Sequence, residues 1–166
     1  MHNKIIIIGD SGRGKTTMAI KLSEKLGIGR HSTDDFYYEI KYSKPRDRGE
    51  AINEIKKVFE CEKWIVEGST QWLLEVGLKS SDVIIFLKYN NMFSQWFTIL
   101  KRHFKRKDKS LKHTLDLMRH VFYKRYGLGY RKGKPTHTEI IAPYKNKVIV
   151  LDSFKKISNF VSNINS

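Results

Sequence analysis

The chain has 166 residues, and 32 Lys+Arg against 17 Asp+Glu give a formal net charge of +15, with 40% hydrophobic and 12% aromatic residues. That length suits one domain spanning residues 1–166, and the apolar content argues against disorder despite the charge. A lone Cys61 excludes an internal disulfide framework, the Ile5–Ile8 run is too short to span a bilayer, and Met1–Lys4 lacks a signal peptide's apolar stretch. A soluble cytoplasmic domain with an anionic partner is the expectation.

Lys4–Ile8 followed by Gly9 reads as a buried parallel strand. Lys15–Leu26 has helical spacing at Met18, Ala19, Leu22 and Leu26, with Gly27 as C-cap. Arg30–Thr33 is a short strand, Tyr37–Arg48 a polar loop with at most a short helix, and Gly49–Glu60 a helix through Ala51, Ile55 and Phe59. Trp64–Val66 is a strand ended by Glu67-Gly68, Ser69–Val76 one or two helical turns, and Val83–Leu87 a strong strand. Asn91–Arg106 is expected to be a helix with Met92, Phe93, Trp96, Phe97, Leu100 and Phe104 on one side, and Leu111–Tyr126 another. Gly127–Lys134 reads as a flexible basic loop, Val148–Leu151 as the last strand and Phe154–Ile164 as the closing helix. Strands alternating with helices imply an α/β fold, a parallel sheet covered on both faces.

The charge is concentrated. Residues 101–134 hold 13 basic and 2 acidic side chains, a net +11, whereas residues 1–100 and 135–166 carry +2 each. Like charges this dense repel, so a bound polyanion is the expected reason for them.

Gly9-Asp10-Ser11-Gly12-Arg13-Gly14-Lys15-Thr16 fits G-x-x-x-x-G-K-[ST], the phosphate-binding P-loop, in its required setting of strand, loop and helix. Backbone N–H groups of this loop, with Thr17 behind it, would wrap the phosphates of ATP at the helix N-terminus. Lys15 would reach the β- and γ-phosphates, and the Thr16 hydroxyl would ligate Mg²⁺. Arg13 fills a position that is often small, and its head is expected toward solvent or phosphate. The chain lacks the features of a GTPase: Asn146-Lys147 is not followed by x-Asp, and no D-x-x-G occurs. It also lacks an explicit Walker B run.

A P-loop with a basic segment after the fourth strand resembles the small-molecule kinases of the adenylate-kinase-like superfamily. Ser32-Thr33-Asp34-Asp35-Phe36-Tyr37 resembles the segment of uridine kinase-like and polynucleotide kinase-like enzymes in which an Asp approaches the acceptor hydroxyl. Trp64-Ile65-Val66-Glu67-Gly68-Ser69 and Ser81-Asp82-Val83-Ile84-Ile85-Phe86-Leu87 resemble segments of the bacterial DNA topology modulation protein (FlaR-like) family. Lys88 departs from that pattern, standing where relatives often carry Asp. The resemblance implies a three-layer α/β/α P-loop NTPase fold, a five-stranded parallel sheet of order 2-3-1-4-5, and a basic helical lid over 101–134. It implies an ATP- and Mg²⁺-dependent kinase whose acceptor is a small, nucleoside- or nucleotide-like hydroxyl or phosphate.

Asp34 is the candidate general base or hydroxyl-positioning group, with Asp35 second because neighbours on an extended segment point oppositely. Either Asp could instead cap a helix beginning near Phe36. Glu67, ending a strand beside the P-loop strand, is the candidate second metal group with Thr16. Arg102 and Arg106, at i, i+4, and Arg119 on the next helix are candidate lid cations for the transferred phosphate. Asp152 reads as a helix cap, and His103, His113 and His120 as surface residues. The acceptor is expected along Phe36–Gly49, with Tyr37, Tyr38, Tyr42, Arg46 and Arg48, and adenine near Gly133–Ala142. The alternative is a nucleic-acid-associated ATPase or polynucleotide kinase, with DNA or RNA along the basic segment.

Overall fold

The computed structural model describes residues 2–40, 43–105 and 110–164, apart from the side chains of Arg102, Lys105 and His113. Its centre is β1 (Lys4–Gly9), whose Ile5, Ile6, Ile7 and Ile8 are all fully buried. At about 2 kcal/mol for burying each aliphatic side chain, this strand alone is a large share of the driving force. Because successive residues alternate in direction, the four isoleucines feed two cores. Ile5 and Ile7 pack on α1 (Lys15–Leu26) through Met18, Ala19 and Leu22. Ile6 and Ile8 pack on α3 (Arg48–Glu60) and α4 (Gln71–Leu78) through Ala51, Ile55, Leu73 and Leu74. The result is a sheet covered on both faces.

The remaining sheet strands are β2 (Arg30–Ser32), β5 (Trp64–Gly68), β6 (Val83–Leu87) and β7 (Val148–Leu151). All pair parallel in the order β2-β5-β1-β6-β7, the expected 2-3-1-4-5 counted over the five sheet strands alone. In register, Ile7 lies opposite Glu67 on one side and Ile85 on the other. The carboxyl ends of β1, β5 and β6 therefore open side by side, where an open α/β sheet binds its ligands.

Beyond the sheet, four expectations need correction. Tyr37–Arg48 is not simply a loop: α2 (Thr33–Tyr37) runs into an antiparallel pair, β3 (Tyr38–Ile40) and β4 (Lys44–Pro45). The Tyr42 expectation lies outside the described residues. The apolar residues of α5 (Met92–Lys105) do not share one side. Met92 and Ile99 are buried against α6 (Leu111–Tyr126) with Val121, while Phe93, Phe97 and Phe104 are exposed. Gly127–Lys134 is not a simple loop either. Gly127 ends α6 in the left-handed conformation at φ 64°, and a 3₁₀ turn at Gly129–Arg131 follows.

Two short helices finish the chain after that turn, α7 (His137–Ile141) and α8 (Phe154–Asn163). Thr136 and Glu139 form a reciprocal capping box on α7. Ser153, not Asp152, caps α8 by accepting from the Lys156 N–H, and Asp152 instead pairs with Lys156 at 2.9 Å. Among the described residues no helix is long and apolar enough to cross a membrane.

Candidate nucleotide site

The Gly9–Thr16 loop leaves β1 and enters α1 through Gly14, which stands at φ 93° and offers no side chain to cap the helix. A left-handed N-cap without a side-chain acceptor leaves the first N–H groups of α1 to an outside anion. Lys15 donates from Nζ to the Gly9 and Asp10 carbonyls at 3.0 and 3.1 Å, curling back over its own loop. Asp10 fastens the loop to the next strand: its carboxylate accepts from the Tyr89 N–H at 3.0 Å, and its own N–H donates to the Leu87 carbonyl at 2.9 Å. Gln95, buried on α5, donates to the Ser11 carbonyl at 3.4 Å. Residue type alone marked neither of these two ties.

Of the two directions expected for Arg13, solvent or phosphate, the solvent one is not taken. Arg13 is 4% exposed, and its guanidinium carbon lies 4.4 Å from the Tyr89 ring centroid and 4.5 Å from that of Phe154. It thus packs as a flat cation against two aromatic rings rather than reaching solvent.

Thr16 and Glu67 meet as the motif reading requires. The Thr16 hydroxyl donates to Glu67 Oε1 at 2.9 Å, and Glu67 is buried at the end of β5. A hydroxyl and a carboxylate at the mouth of a phosphate loop form an oxygen donor set suited to Mg²⁺. On that chemistry the residues present fit the ion.

Asp34 and Asp35 sit in the first turn of α2, not on an extended segment, so they point about 100° apart instead of oppositely. The helix cap is Ser32, which accepts from the Asp34 N–H at 3.3 Å. Neither aspartate is used as the N-cap.

Of the three expected lid cations, only Arg119 has a described side chain. Arg119 is exposed and donates to its neighbour Tyr123 at 3.2 Å, without lining the cavity described below. Arg102 is carried by α5, and Arg106 lies outside the described residues. The cation that α6 delivers is Lys124, whose Nζ donates to the Ser69 carbonyl at 3.1 Å. Burial pushes Lys124 down to about 7, with Lys15 and Arg131 adding to the effect and Asp10 and Asp34 opposing it. Lys15, Arg131, Asp10 and Asp34 thus all act electrostatically on this ammonium. Arg125 donates to the Tyr89 and Asn90 carbonyls at 3.2 and 3.0 Å, tying α6 to the end of β6. Arg131 bonds the Gln71 side-chain oxygen and also the Pro135 carbonyl at 3.1 Å, which pins the glycine-rich turn.

Lys124, Arg125 and Asp10 border a cavity of about 200 Å³ at the carboxyl edge of the sheet. Its lining includes Asp10, Ser11, Lys88, Lys124 and Arg125 together with Phe86, Thr136, His137 and Thr138. The Thr136–Thr138 segment expected to approach a base is thus on the wall. His137 is buried against Phe86, and burial together with Lys124 and Lys15 holds its imidazole well below the ordinary range. It is therefore a neutral ring at pH 7. Two other histidines have specific partners: His103 shares a 2.9 Å hydrogen bond with the buried Thr114, and His120 bonds Tyr130.

No family model matches the chain, and no curated protein matches it. Solved structures do match. A shikimate kinase from Bacteroides thetaiotaomicron is 15% identical with a TM-score of 0.56, the match covering 98% of this chain and 95% of that one. A shikimate kinase from Acinetobacter baumannii, in complex with shikimate, is 15% identical at TM-score 0.55, over 96% of this chain and 89% of that one. A gluconokinase from Sinorhizobium meliloti is 12% identical at TM-score 0.52, over 96% and 87%. The fold is therefore that of the shikimate kinase-like P-loop proteins.

Proposed function

We propose that the protein is a kinase that transfers the γ-phosphoryl of ATP to a small hydroxyl or phosphate acceptor. The observation that carries this reading is the convergence of the P-loop, the Thr16–Glu67 pair, Asp34 and the lid lysine Lys124 on one edge of the sheet. The likeness to shikimate kinases and a gluconokinase supports it at the level of fold. The segments around Glu67 and Val83 support a closer relation to the FlaR-like family, and the segment around Asp34 one to uridine kinase-like and polynucleotide kinase-like enzymes. The site's need for ATP and the single exposed thiol suit a cytoplasmic setting.

In this reading the loop amides and Lys15 hold the phosphates, and Lys124 meets the transferred group from the lid side. Asp34 orients the acceptor hydroxyl and takes its proton. Mg²⁺, held by Thr16 and through Glu67, would neutralise charge on the phosphates. Tyr37 and Trp72, 6.1 Å apart, with Arg48 5.2 Å from the Trp72 ring, offer an aromatic and cationic wall for the acceptor. Arg102, Arg106 and Arg119 remain candidates for phosphate contact once the lid closes.

The test is ATP consumption screened against nucleosides, nucleotides, shikimate, gluconate and oligonucleotides. Turnover with one acceptor, abolished by Lys15→Ala, is expected. Asp34→Asn should retain ATP binding and lose turnover, and full turnover in that variant would remove Asp34 from the mechanism. Failure of the wild type to bind ATP·Mg²⁺ would overturn the kinase reading.

A further inference from the structure

The proposed kinase reaction makes no use of the outer face of α5. Phe93, Phe97 and Phe104 stand there at 78%, 69% and 79% exposure. Their spacing of four and seven residues puts them in one stripe, about 16 Å long at 1.5 Å per residue. Exposed Lys101 fills the turn between Phe97 and Phe104. The helix contains Lys101, Arg102 and Lys105 and no acidic residue, and the first turns of α6 add exposed Lys112 and Leu115. Three phenylalanines left in water along one helix form an apolar feature that a solvated surface does not require.

We propose that this stripe binds single-stranded nucleic acid, with bases stacking on the phenylalanine rings and phosphates meeting Lys101 and Lys112. The charge pattern selects this occupant. A second copy of the chain would bring one basic face against another, and like charges at an interface are costly. A membrane-lying helix needs a polar, solvated face opposite its apolar one, whereas here the opposite face is committed to α6. A single strand supplies both a flat π face for each ring and a phosphate for each cation. The stripe is distinct from the P-loop, which meets α5 through the inward-facing Gln95. Binding there does not need ATP, so this inference stands apart from the kinase reading.

The experiment is fluorescence anisotropy of labelled dT20 and U20 with the full chain at 50 and 200 mM KCl. Wild type and Lys15→Ala should bind alike, with affinity falling steeply as salt rises. Phe93→Ala and Phe104→Ala should each weaken binding about fivefold or more, the loss expected from one base–aromatic stack. The double variant Phe93→Leu/Phe97→Leu, which keeps the surface apolar, should weaken it as well. Unchanged thermal melting of these exposed-site variants would show that the fold is intact. Absence of binding at 50 mM KCl, or binding undiminished by loss of the rings, would overturn the proposal. So would phenylalanine-dependent sedimentation with anionic phospholipid vesicles in place of oligonucleotide binding, or a dimer in light scattering that Phe97→Ala dissolves.

Discussion

The hydroxyl of Thr16 and the carboxylate of Glu67 are joined at 2.9 Å although 51 residues separate them in the chain. The bond exists because β1 and β5 are paired in register, Ile8 against Gly68, so the loop after one strand opens beside the last side chain of the other. Replacing Glu67 by Gln keeps the shape and a hydrogen-bonding partner but removes the negative charge. We expect the Mg²⁺ concentration for half-maximal ATP turnover to rise about 10- to 100-fold, the usual effect of losing an outer-shell carboxylate. A Mg²⁺ titration of the variant, with EDTA-treated wild type as the zero point, measures it. An unchanged midpoint would separate Glu67 from the metal.

In the proposed kinase, Lys124 should make phosphate binding dependent on pH. Its free-state value is about 7, and a bound polyphosphate favours the charged form, raising that value. Affinity for ATP·Mg²⁺ is then full below pH 7 and falls as pH rises from about 7 toward the bound-state value. Calorimetric titrations between pH 7.5 and 9.5 should show this decline in the wild type and a flatter profile in Lys124→Arg, which stays charged throughout. Folding stability follows the opposite course: the unfolded lysine holds its proton up to the ordinary 10.5, so stability rises with pH between about 7 and that value.

Gly68 is fixed by contact rather than by backbone angle. A Cβ there would stand 1.8 Å from Thr33 Oγ1 and 2.7 Å from Thr33 Cβ and Cγ2. Gly68→Ala should cost about 1–3 kcal/mol in urea unfolding, as overpacked cores do. Adding Thr33→Ala removes the two outer atoms but not Cβ, so the double variant should recover part of the loss. A double-mutant cycle with no coupling would contradict the contact.

Arg13 contributes area more than charge. Arg13→Ala removes a nearly buried side chain packed on Tyr89 and Phe154 and should destabilise by about 2 kcal/mol. Arg13→Met refills most of the space and also removes an Nε that has no hydrogen-bond partner. Its loss in the same urea experiment should be less than half as large.

The parts of the fold written in one-dimensional pattern were legible. Four consecutive isoleucines, G-x-x-x-x-G-K-T and the Gly27 stop each carry their meaning within a few residues. Two-sided patterns were not. Apolar residues on both faces of α5 read as one broad stripe, because spacing cannot tell a face that meets α6 from one that meets water. The short α2 has too few residues to display a period, so Asp34 and Asp35 read as extended. Nor could composition distinguish Lys124 from Arg119. Which one approaches the P-loop side depends on how α6 docks, through its apolar contacts with α5 and Arg125 gripping the carbonyls after β6.

The contact of Arg13 with Phe154 joins the first loop of the chain to the first turn of its last helix. Synthesis runs from one to the other, so the phosphate loop is made early and waits for its final support. A nascent chain emerging from the ribosome holds the whole binding motif yet lacks the ring that covers Arg13. ATP capture during translation should therefore switch on late, when α8 has cleared the exit tunnel and docked.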